Sequence, residues 1–216
     1  MRRRMPAEEV RPIAEELLAR ILPACDRAEI VGSLRRELAE VGDIEILAAP
    51  KIEPLGDLFG APSGQVRNLL DELASEMVES GELSMRQFPR TGRSGQRGLW
   101  DAADSSQRWG TRYKAAVYRG IPVDLFCCIE PAQWGVLMLI RTGPAEFAKR
   151  FVTQRAKGGV LPDWAVVHHG AIYHQEELQP IATPEEEDVF RVLGLGVIPP
   201  RYRVSADSWP HLMYGF

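Results

Sequence analysis

Three acidic residues are placed where their carboxylates could hold a divalent metal ion. Asp43 and Glu45 are separated by one residue in the stretch Asp43-Ile-Glu-Ile46. Alternate residues of a β-strand share a face, so both carboxylates would project together while the two isoleucines point into the core. Neighbouring carboxylates repel each other unless a cation lies between them, and Mg²⁺ takes oxygen ligands of this kind. Taken alone, such a pair is more typical of a strand at the protein surface.

Asp124 is the third acidic residue, and its neighbours are almost all apolar. It lies in Ile121-Pro-Val-Asp-Leu-Phe-Cys-Cys-Ile129, a pattern that predicts a strand. A buried carboxylate without a partner is costly, so Asp124 either meets a cation or a hydrogen-bond donor or lies on the solvent side of its strand. We therefore treat Asp43, Glu45 and Asp124 as the candidate catalytic and metal-binding residues.

A possible phosphate-binding turn precedes the paired acids. Gly32-Ser33 follows a predicted strand, and Arg35 and Arg36 come directly after the next residue. Glycine allows close backbone approach to a ligand, serine offers a hydroxyl, and backbone N–H groups with arginine can hold a triphosphate. Phosphoryl transfer needs this combination of charge neutralisation and bridging metal ions.

Hydrophobic periodicity predicts the elements that would position these residues. Helices are expected over residues 6–22, 63–80, 133–140 and 145–157, and one more begins with Thr183 as N-cap and Pro184 as its first residue. Strands are expected over 28–31, 43–48, 113–118 and 121–129, and residues 165–167 and 171–173 form a hairpin. Residues 34–39 are interpreted as a helical turn or loop, and residues 90–106 as a mobile loop. These elements predict a mixed α+β fold, in which helices flank a mixed β-sheet.

Composition limits the class of protein further. The chain has 216 residues, of which 45% are hydrophobic, enough for one large domain or two small ones. It contains neither a secretory leader nor an apolar run of about 18 residues, which predicts a soluble, cytoplasmic protein. Its three cysteines, Cys25, Cys127 and Cys128, are expected to be reduced core thiols.

Charge is distributed unevenly along the chain. The net charge is only −4, yet residues 86–119 hold eight basic side chains against two acidic ones. Residues 176–188 hold acidic side chains and no basic ones. A basic segment could follow a nucleic-acid backbone, although a charge run is also typical of solvated surface.

Together, the motifs resemble the DNA polymerase beta-like (family X) nucleotidyltransferases. The resemblance extends from about residue 6 to about residue 203. Its palm motif is Gly32-Ser-x-Arg-Arg-(x)6-Asp-x-Glu45 with the later Val123-Asp-Leu125, and its thumb motifs are Trp134-Gly-Val136, Thr142-Gly-Pro-x-x-Phe147, Leu193-Gly-Leu195, Ile198-Pro-Pro200 and Arg203.

The resemblance implies a palm over residues 1–130, which includes the N-terminal helix, and a smaller thumb over residues 131–216. It implies that Asp43 and Glu45 bind two Mg²⁺ ions, which Mn²⁺ could replace, and that Asp124 binds the catalytic ion and helps to activate a primer 3′-hydroxyl. The residues expected to bind the nucleotide are Gly32, Ser33, Arg36, Gly42, Thr142 and Gly143. Those expected to contact nucleic acid are Arg35, Arg112, Lys114 and Lys149, and Arg35 could instead support the site.

Departures from the family pattern qualify these expectations. Ile140-Arg141 stands where polymerase relatives have an aromatic pair, so discrimination between ribose and deoxyribose is not assumed. Relatives have a cis peptide after the glycine that corresponds to Gly143. Because the next residue here is Pro144, which lowers the cost of a cis bond to about 0.5–1 kcal/mol, we predict a cis bond at this position. No lyase segment of the kind found in longer relatives precedes residue 6, so lyase activity is not expected.

The resulting hypothesis is a monomeric, DNA-templated repair-type polymerase that joins nucleoside triphosphates to a DNA primer. Template-independent transfer, or transfer to a small molecule or protein, is the alternative among enzymes. A catalytically silent DNA-binding module is an alternative of a different class, but three retained acids argue against it. The segment Trp109–Lys114 could equally stack on a template base or pack at the edge of the sheet.

Overall fold

The chain forms a mixed α+β fold, which a computed structural model describes over residues 4–56, 62–88, 108–177 and 179–203. The helices are α1 (Ala7–Ile21), α2 (Gly32–Arg35), α3 (Leu69–Glu79), α4 (Trp134–Thr142), α5 (Ala145–Phe151) and α6 (Glu186–Leu193). The strands are β1 (Met5–Pro6), β2 (Cys25–Ile30), β3 (Glu40–Val41), β4 (Ile44–Pro50), β5 (Ile52–Gly56), β6 (Pro62–Asn68), β7 (Leu83–Met85), β8 (Trp109–Gly110), β9 (Tyr113–Tyr118), β10 (Ile121–Cys127), β11 (Ala165–His168), β12 (Ala171–His174) and β13 (Pro180–Ile181). The loop expected over residues 90–106 lies outside the described residues.

The central sheet carries Glu45 and Asp124, and Asp43 immediately precedes its strand β4. Its strand order is β2-β4-β10-β9-β7, and β8 also pairs with β9. Strands β4 and β10 are parallel, and the other neighbouring pairs are antiparallel. The strands expected over residues 43–48, 113–118 and 121–129 are therefore confirmed, with shifts of one or two residues at their ends.

One face of the central sheet is covered by α1 and α3. Helix α1 buries Val10, Ala14, Leu17 and Ile21, each at most 3% exposed, and these belong to the apolar stripe that predicted the helix. They pack with sheet residues such as Ile44 in a single core cluster. This face therefore holds the larger core of the protein.

The helix expected over residues 63–80 was wrong in its first part. Residues 62–68 form β6, which pairs with β5, and the helix begins only at Leu69. Asn68 ends the strand and caps the helix, because its Oδ1 accepts a hydrogen bond of 3.0 Å from the Asp71 backbone N–H. Val66, expected on the apolar stripe, is instead 63% exposed.

The opposite face of the sheet is covered by α4, which was expected over residues 133–140. Its residues Trp134, Leu137 and Met138 pack with Leu47 and Phe126 of the sheet. The second half of the chain also has its own cluster of buried residues, all between Val136 and Ile198. Helix α4 thus joins the sheet to the remainder of the chain.

Helix α5 ends earlier than the predicted residue 157. After Phe151 the chain turns, and a short 3-10 helix over Arg155–Lys157 follows. The turn returns the chain on itself, since the Leu161 backbone N–H donates to the Thr153 carbonyl over 3.0 Å. Burial of Val160 and Leu161, at 4% and 1% exposure, favours this turn over a longer helix.

The predicted start of α6 was two residues too early. Thr183 is fully buried and its hydroxyl donates to the Ala132 carbonyl over 2.9 Å, so it does not cap the helix. Glu185 is the N-cap, and it forms a capping box with Asp188. The hairpin expected over residues 165–167 and 171–173 is confirmed as β11 and β12.

Two further expectations concern the cysteines and the membrane. Cys25, Cys127 and Cys128 are buried free thiols, as expected. Among the described residues, no helix has both the length and the apolar content that crossing a bilayer requires.

Candidate active site

The three candidate acids come from two neighbouring strands. Asp43 immediately precedes β4, Glu45 is the second residue of β4, and Asp124 is the fourth residue of β10. Glu45 lies directly opposite Asp124 in the parallel pair, so both side chains leave the sheet on the same face. This is the face that α4 covers, since Leu47 two residues later packs against that helix.

Glu45 shows that the three acids interact electrostatically. Burial, together with the charges of Asp43 and Asp124, raises the pKa of Glu45 to about 7. Arg36 and Arg141 oppose this change without cancelling it. The raised pKa of Glu45 therefore reflects burial first and repulsion from the two aspartates second.

Two arginines lie close to Glu45. Burial lowers the pKa of Arg36 below its ordinary value, and the nearby Glu45 carboxylate offsets only part of this decrease. Burial also lowers the pKa of Arg141, against the charges of Glu45, Tyr113 and Asp124. The Arg141 guanidinium stacks over the Phe126 ring, with Cζ 3.9 Å from the ring centroid. Arg141 thus brings a cation to the acids.

Asp124 is held by two partners that the sequence did not suggest. It is 8% exposed, and its Oδ1 accepts a hydrogen bond of 2.6 Å from the Tyr113 hydroxyl. The Arg86 guanidinium also donates to Oδ1. Burial and the bond to Asp124 raise the pKa of Tyr113, which keeps its hydroxyl protonated as a donor. Arg86 follows β7, and its proximity to Asp124 depends on the order β7-β9-β10, which no local sequence pattern reveals.

Gly32 is required by the packing of Glu45. It begins α2 with φ of +66°, and a Cβ at this position would lie 1.6 Å from Glu45 Oε2. Ser33, in the first turn of α2, is 8% exposed. Gly42 precedes Asp43, and a Cβ there would have no neighbour within 4 Å. The structure therefore brings the Gly32-Ser33 turn to the acids, and the close approach at Gly32 is made by a side chain of the protein.

The two arginines after this turn reach the end of α4. Arg35 Nη1 donates to Thr142 Oγ1 over 2.7 Å, and Arg36 Nη1 donates to the Thr142 carbonyl. A Cβ on Gly143 would lie 3.2 Å from Arg36 Nη1. The predicted cis bond between Gly143 and Pro144 is confirmed. The predicted palm residues and the predicted Thr142-Gly143 pair are thus in direct contact.

Arg35 also belongs to an ion-pair network with the second half of the chain. Its Nη1 lies 2.8 Å from Glu186 Oε2, and Arg203 Nη1 lies 2.6 Å from the other oxygen, Oε1. Arg203 is fully buried between the rings of Phe147 and Phe190. Through Arg35, this network links the residues after the Gly32-Ser33 turn to α4 and α6. These contacts agree with a structural role for Arg35.

The residues expected to contact nucleic acid occupy different environments. Arg112 and Lys149 are exposed, and they lie in the β8–β9 turn and in α5. Lys114 is only 2% exposed, and its Nζ pairs with Asp71 and donates to the Gly110 carbonyl over 2.9 Å. Lys114 faces the core with α1 and α3, which leaves it no surface for a phosphate group and corrects that expectation.

Within the described ranges, no set of three His, Cys, Asp or Glu side chains is already arranged to hold a metal ion. Asp124 is engaged by Arg86 and Tyr113 in this arrangement. Comparison of the sequence with protein-family patterns and with curated proteins found no match.

Proposed function

We propose that the chain is a nucleotidyltransferase of the polymerase beta-like type, with a two-metal site at Asp43, Glu45 and Asp124. The observation that carries this proposal is the register of β4 and β10, which sets Glu45 opposite Asp124 on one face of the sheet. The rise in the pKa of Glu45 supports the proximity of all three acids. Residues 1–130 would form the palm and residues 131–216 the thumb.

The donor set suits Mg²⁺, with Mn²⁺ as a substitute. All three residues offer carboxylate oxygens, which hard divalent ions prefer. Burial is the main cause of the raised pKa of Glu45, and repulsion from Asp43 and Asp124 adds to it, so a divalent ion bound here would offset that repulsion. When bound, two such ions would neutralise the triphosphate and stabilise the charge that develops during phosphoryl transfer.

The remaining functions are metal binding, proton acceptance and phosphate binding, and each is assigned to residues of the chain. Asp43 and Glu45 would hold both ions, and Asp124 would hold one ion and accept the proton of the attacking hydroxyl. Arg36, fixed by its bond to the Thr142 carbonyl, would pair with the triphosphate. Ser33 would donate its hydroxyl to a phosphate oxygen. Glu45 already fills the space above Gly32, which keeps this turn against the acids.

A DNA primer is the acceptor that the resemblance favours, and the exposed Arg112 and Lys149 could pair with its phosphates. The alternative is untemplated transfer, or transfer to a small molecule or protein. Arg141 supports keeping this alternative, because it stands where templated relatives have an aromatic side chain and brings a cation to the acids.

The proposal is tested by extension of a labelled DNA primer, with and without template, with each dNTP or rNTP and with Mg²⁺ or Mn²⁺. We expect template-directed extension by the wild type and its loss in Asp124→Asn, which removes a metal ligand and the proton acceptor together. Asp26→Asn is the matched control, because Asp26 is an exposed residue of β2 in the same sheet. It should extend like the wild type.

The outcomes separate the candidate functions. Extension that needs a template supports a polymerase, and tailing without a template supports an untemplated transferase. A wild type that extends no primer under any of these conditions contradicts both. Extension by Asp124→Asn at the wild-type rate would contradict the assignment of the site.

A further inference from the structure

Arg86 forms a buried ion pair with Asp124, one of the three proposed metal ligands. Its guanidinium pairs with Asp124 Oδ1, and the two side chains are only 14% and 12% exposed. A pair so far from water interacts strongly, because little solvent screens the charges. The carboxylate that would have to bind a metal ion is thus already neutralised by a residue of the protein.

The pairing of Arg86 is incomplete. A single guanidinium nitrogen, Nη2, bonds to both Asp124 Oδ1 and the Tyr113 hydroxyl oxygen. Nε and Nη1 are buried and have no hydrogen-bond partner in the described part of the chain. A structural arginine–carboxylate pair usually uses two parallel hydrogen bonds, which add both strength and geometric definition. Arg86 therefore makes a one-point contact, and a divalent ion at Asp124 would have to displace a single guanidinium nitrogen and not a bidentate pair.

The Arg86 guanidinium also contacts an aromatic ring while it is paired with Asp124. Its Cζ lies 5.0 Å from the ring centroid of Phe88, which the Arg108 guanidinium approaches from 4.6 Å. A cation–π contact does not depend on the carboxylate, so it would remain available to the guanidinium after displacement. Tyr113 would meanwhile keep its hydrogen bond to Asp124, so the carboxylate would retain its orientation.

We propose that Arg86 is the resident counter-cation of Asp124 and that a divalent metal ion must displace its guanidinium to complete the carboxylate site. The inference rests on the proposed function and deepens it, since it names the residue that sets metal affinity. Arg86 acts through Asp124 and is a positioning residue. Its positive charge competes with the metal ion for one carboxylate and repels the ion once it arrives.

The test is Mn²⁺ binding to the full chain without nucleotide or DNA, followed by electron paramagnetic resonance. Arg86→Met removes the charge and keeps most of the volume, and we expect it to bind Mn²⁺ on the order of tenfold more tightly, equivalent to about 1.4 kcal/mol. Arg86→Gln is a second neutral variant, in case the methionine variant does not fold. Arg86→Lys keeps the charge and should resemble the wild type.

Three control variants distinguish charge from other effects. Tyr113→Phe removes the other donor to Asp124 without changing the charge, and it should not tighten Mn²⁺ binding. Arg119→Met removes an exposed ion pair with Glu16 elsewhere in the protein and should leave the affinity unchanged. Asp43→Asn should weaken binding in every background, because it removes a proposed ligand of the metal ion.

The possible results separate the inference from the proposed function. Equal or weaker Mn²⁺ binding by both neutral Arg86 variants, with binding still sensitive to Asp43→Asn, would overturn the counter-cation role and leave the metal site standing. Tightening by Tyr113→Phe to the same extent would also overturn it, since charge would not be the cause. Mn²⁺ binding that no variant of the acids changes would overturn both proposals.

Discussion

Replacement of Glu45 by glutamine should stabilise the metal-free protein at alkaline pH. Burial and the two neighbouring aspartates raise the pKa of Glu45 from its ordinary value of 4.5 to about 7. At about 1.4 kcal/mol for each pH unit, ionising this side chain costs the folded state about 3 kcal/mol. Glutamine has a similar shape and carries no charge, so Glu45→Gln removes that cost.

The pH dependence follows from the direction of the change. Below pH 4.5 the Glu45 carboxyl is protonated in both the folded and the unfolded chain, and the substitution gains nothing. Between pH 4.5 and about 7 the unfolded chain releases this proton while the folded chain retains it, so the stability of the wild type falls. Above about pH 7 the full cost is present. The advantage of Glu45→Gln should therefore grow from near zero to about 3 kcal/mol across this range.

The measurement is urea unfolding followed by circular dichroism, with EDTA present, at pH 5, 6, 7 and 8. Glu79→Gln, an exposed substitution at the end of α3, controls for general effects of removing a carboxylate. Mg²⁺ in place of EDTA should stabilise the wild type more than Glu45→Gln, because the ion relieves the same repulsion. A difference between wild type and Glu45→Gln that is the same at pH 5 and pH 8 would refute the electrostatic reasoning.

Two other substitutions probe the structure around the site. Gly32→Ala should cost about 3 kcal/mol in the free energy of unfolding, since its φ is +66° and its Cβ would lie 1.6 Å from Glu45 Oε2. Gly81→Ala, at φ +77° with no neighbour within 4 Å, should cost only about 1 to 2 kcal/mol, and urea unfolding of both variants measures the difference. Glu186→Gln should cost about 3 kcal/mol in thermal unfolding, because it leaves the buried Arg203 without its charged partner.

Controls make both results interpretable. Equal costs for the two glycine variants would show that backbone conformation, and not the space taken by Glu45, governs position 32. Glu187→Gln changes the exposed neighbour of Glu186 and should stay within about 0.5 kcal/mol of the wild type. A Glu186→Gln variant as stable as the Glu187→Gln control would contradict the importance of the buried ion pair.

Local patterns were sufficient for the elements that carry the acids. Helix α1 and strands β4, β9 and β10 follow from apolar periodicity, because each buries one face against the same core. The same alternation identified Asp43 and Glu45 as candidate site residues, because they alternate with the apolar Ile44 and Ile46. Of the two alternatives for Asp124, a partner or the solvent side of its strand, its contacts to Tyr113 and Arg86 and its burial favour the first.

Contacts between distant parts of the chain account for what the sequence did not reveal. Residues 62–68 satisfy a helical pattern locally, yet pairing with β5 gives them a strand conformation. Lys114 was expected to contact nucleic acid, although it is buried and pairs with Asp71 of α3. Arg86 is one of many arginines in a basic segment, and only the lateral order of β7, β9 and β10 brings it to Asp124.

The parallel pairing of β4 and β10 also has a consequence for how the protein is made. Parallel neighbours cannot be joined by a tight turn, and here β5, β6, α3, β7, β8 and β9 all intervene in the chain. Pairing between segments so far apart forms slowly, because closing the long loop between them costs conformational entropy before the stabilising contacts can form. A chain emerging from the ribosome would therefore present Asp43 and Glu45 well before Asp124 joins them. Under the proposed function, the binding of a divalent ion would report the completion of this late folding step.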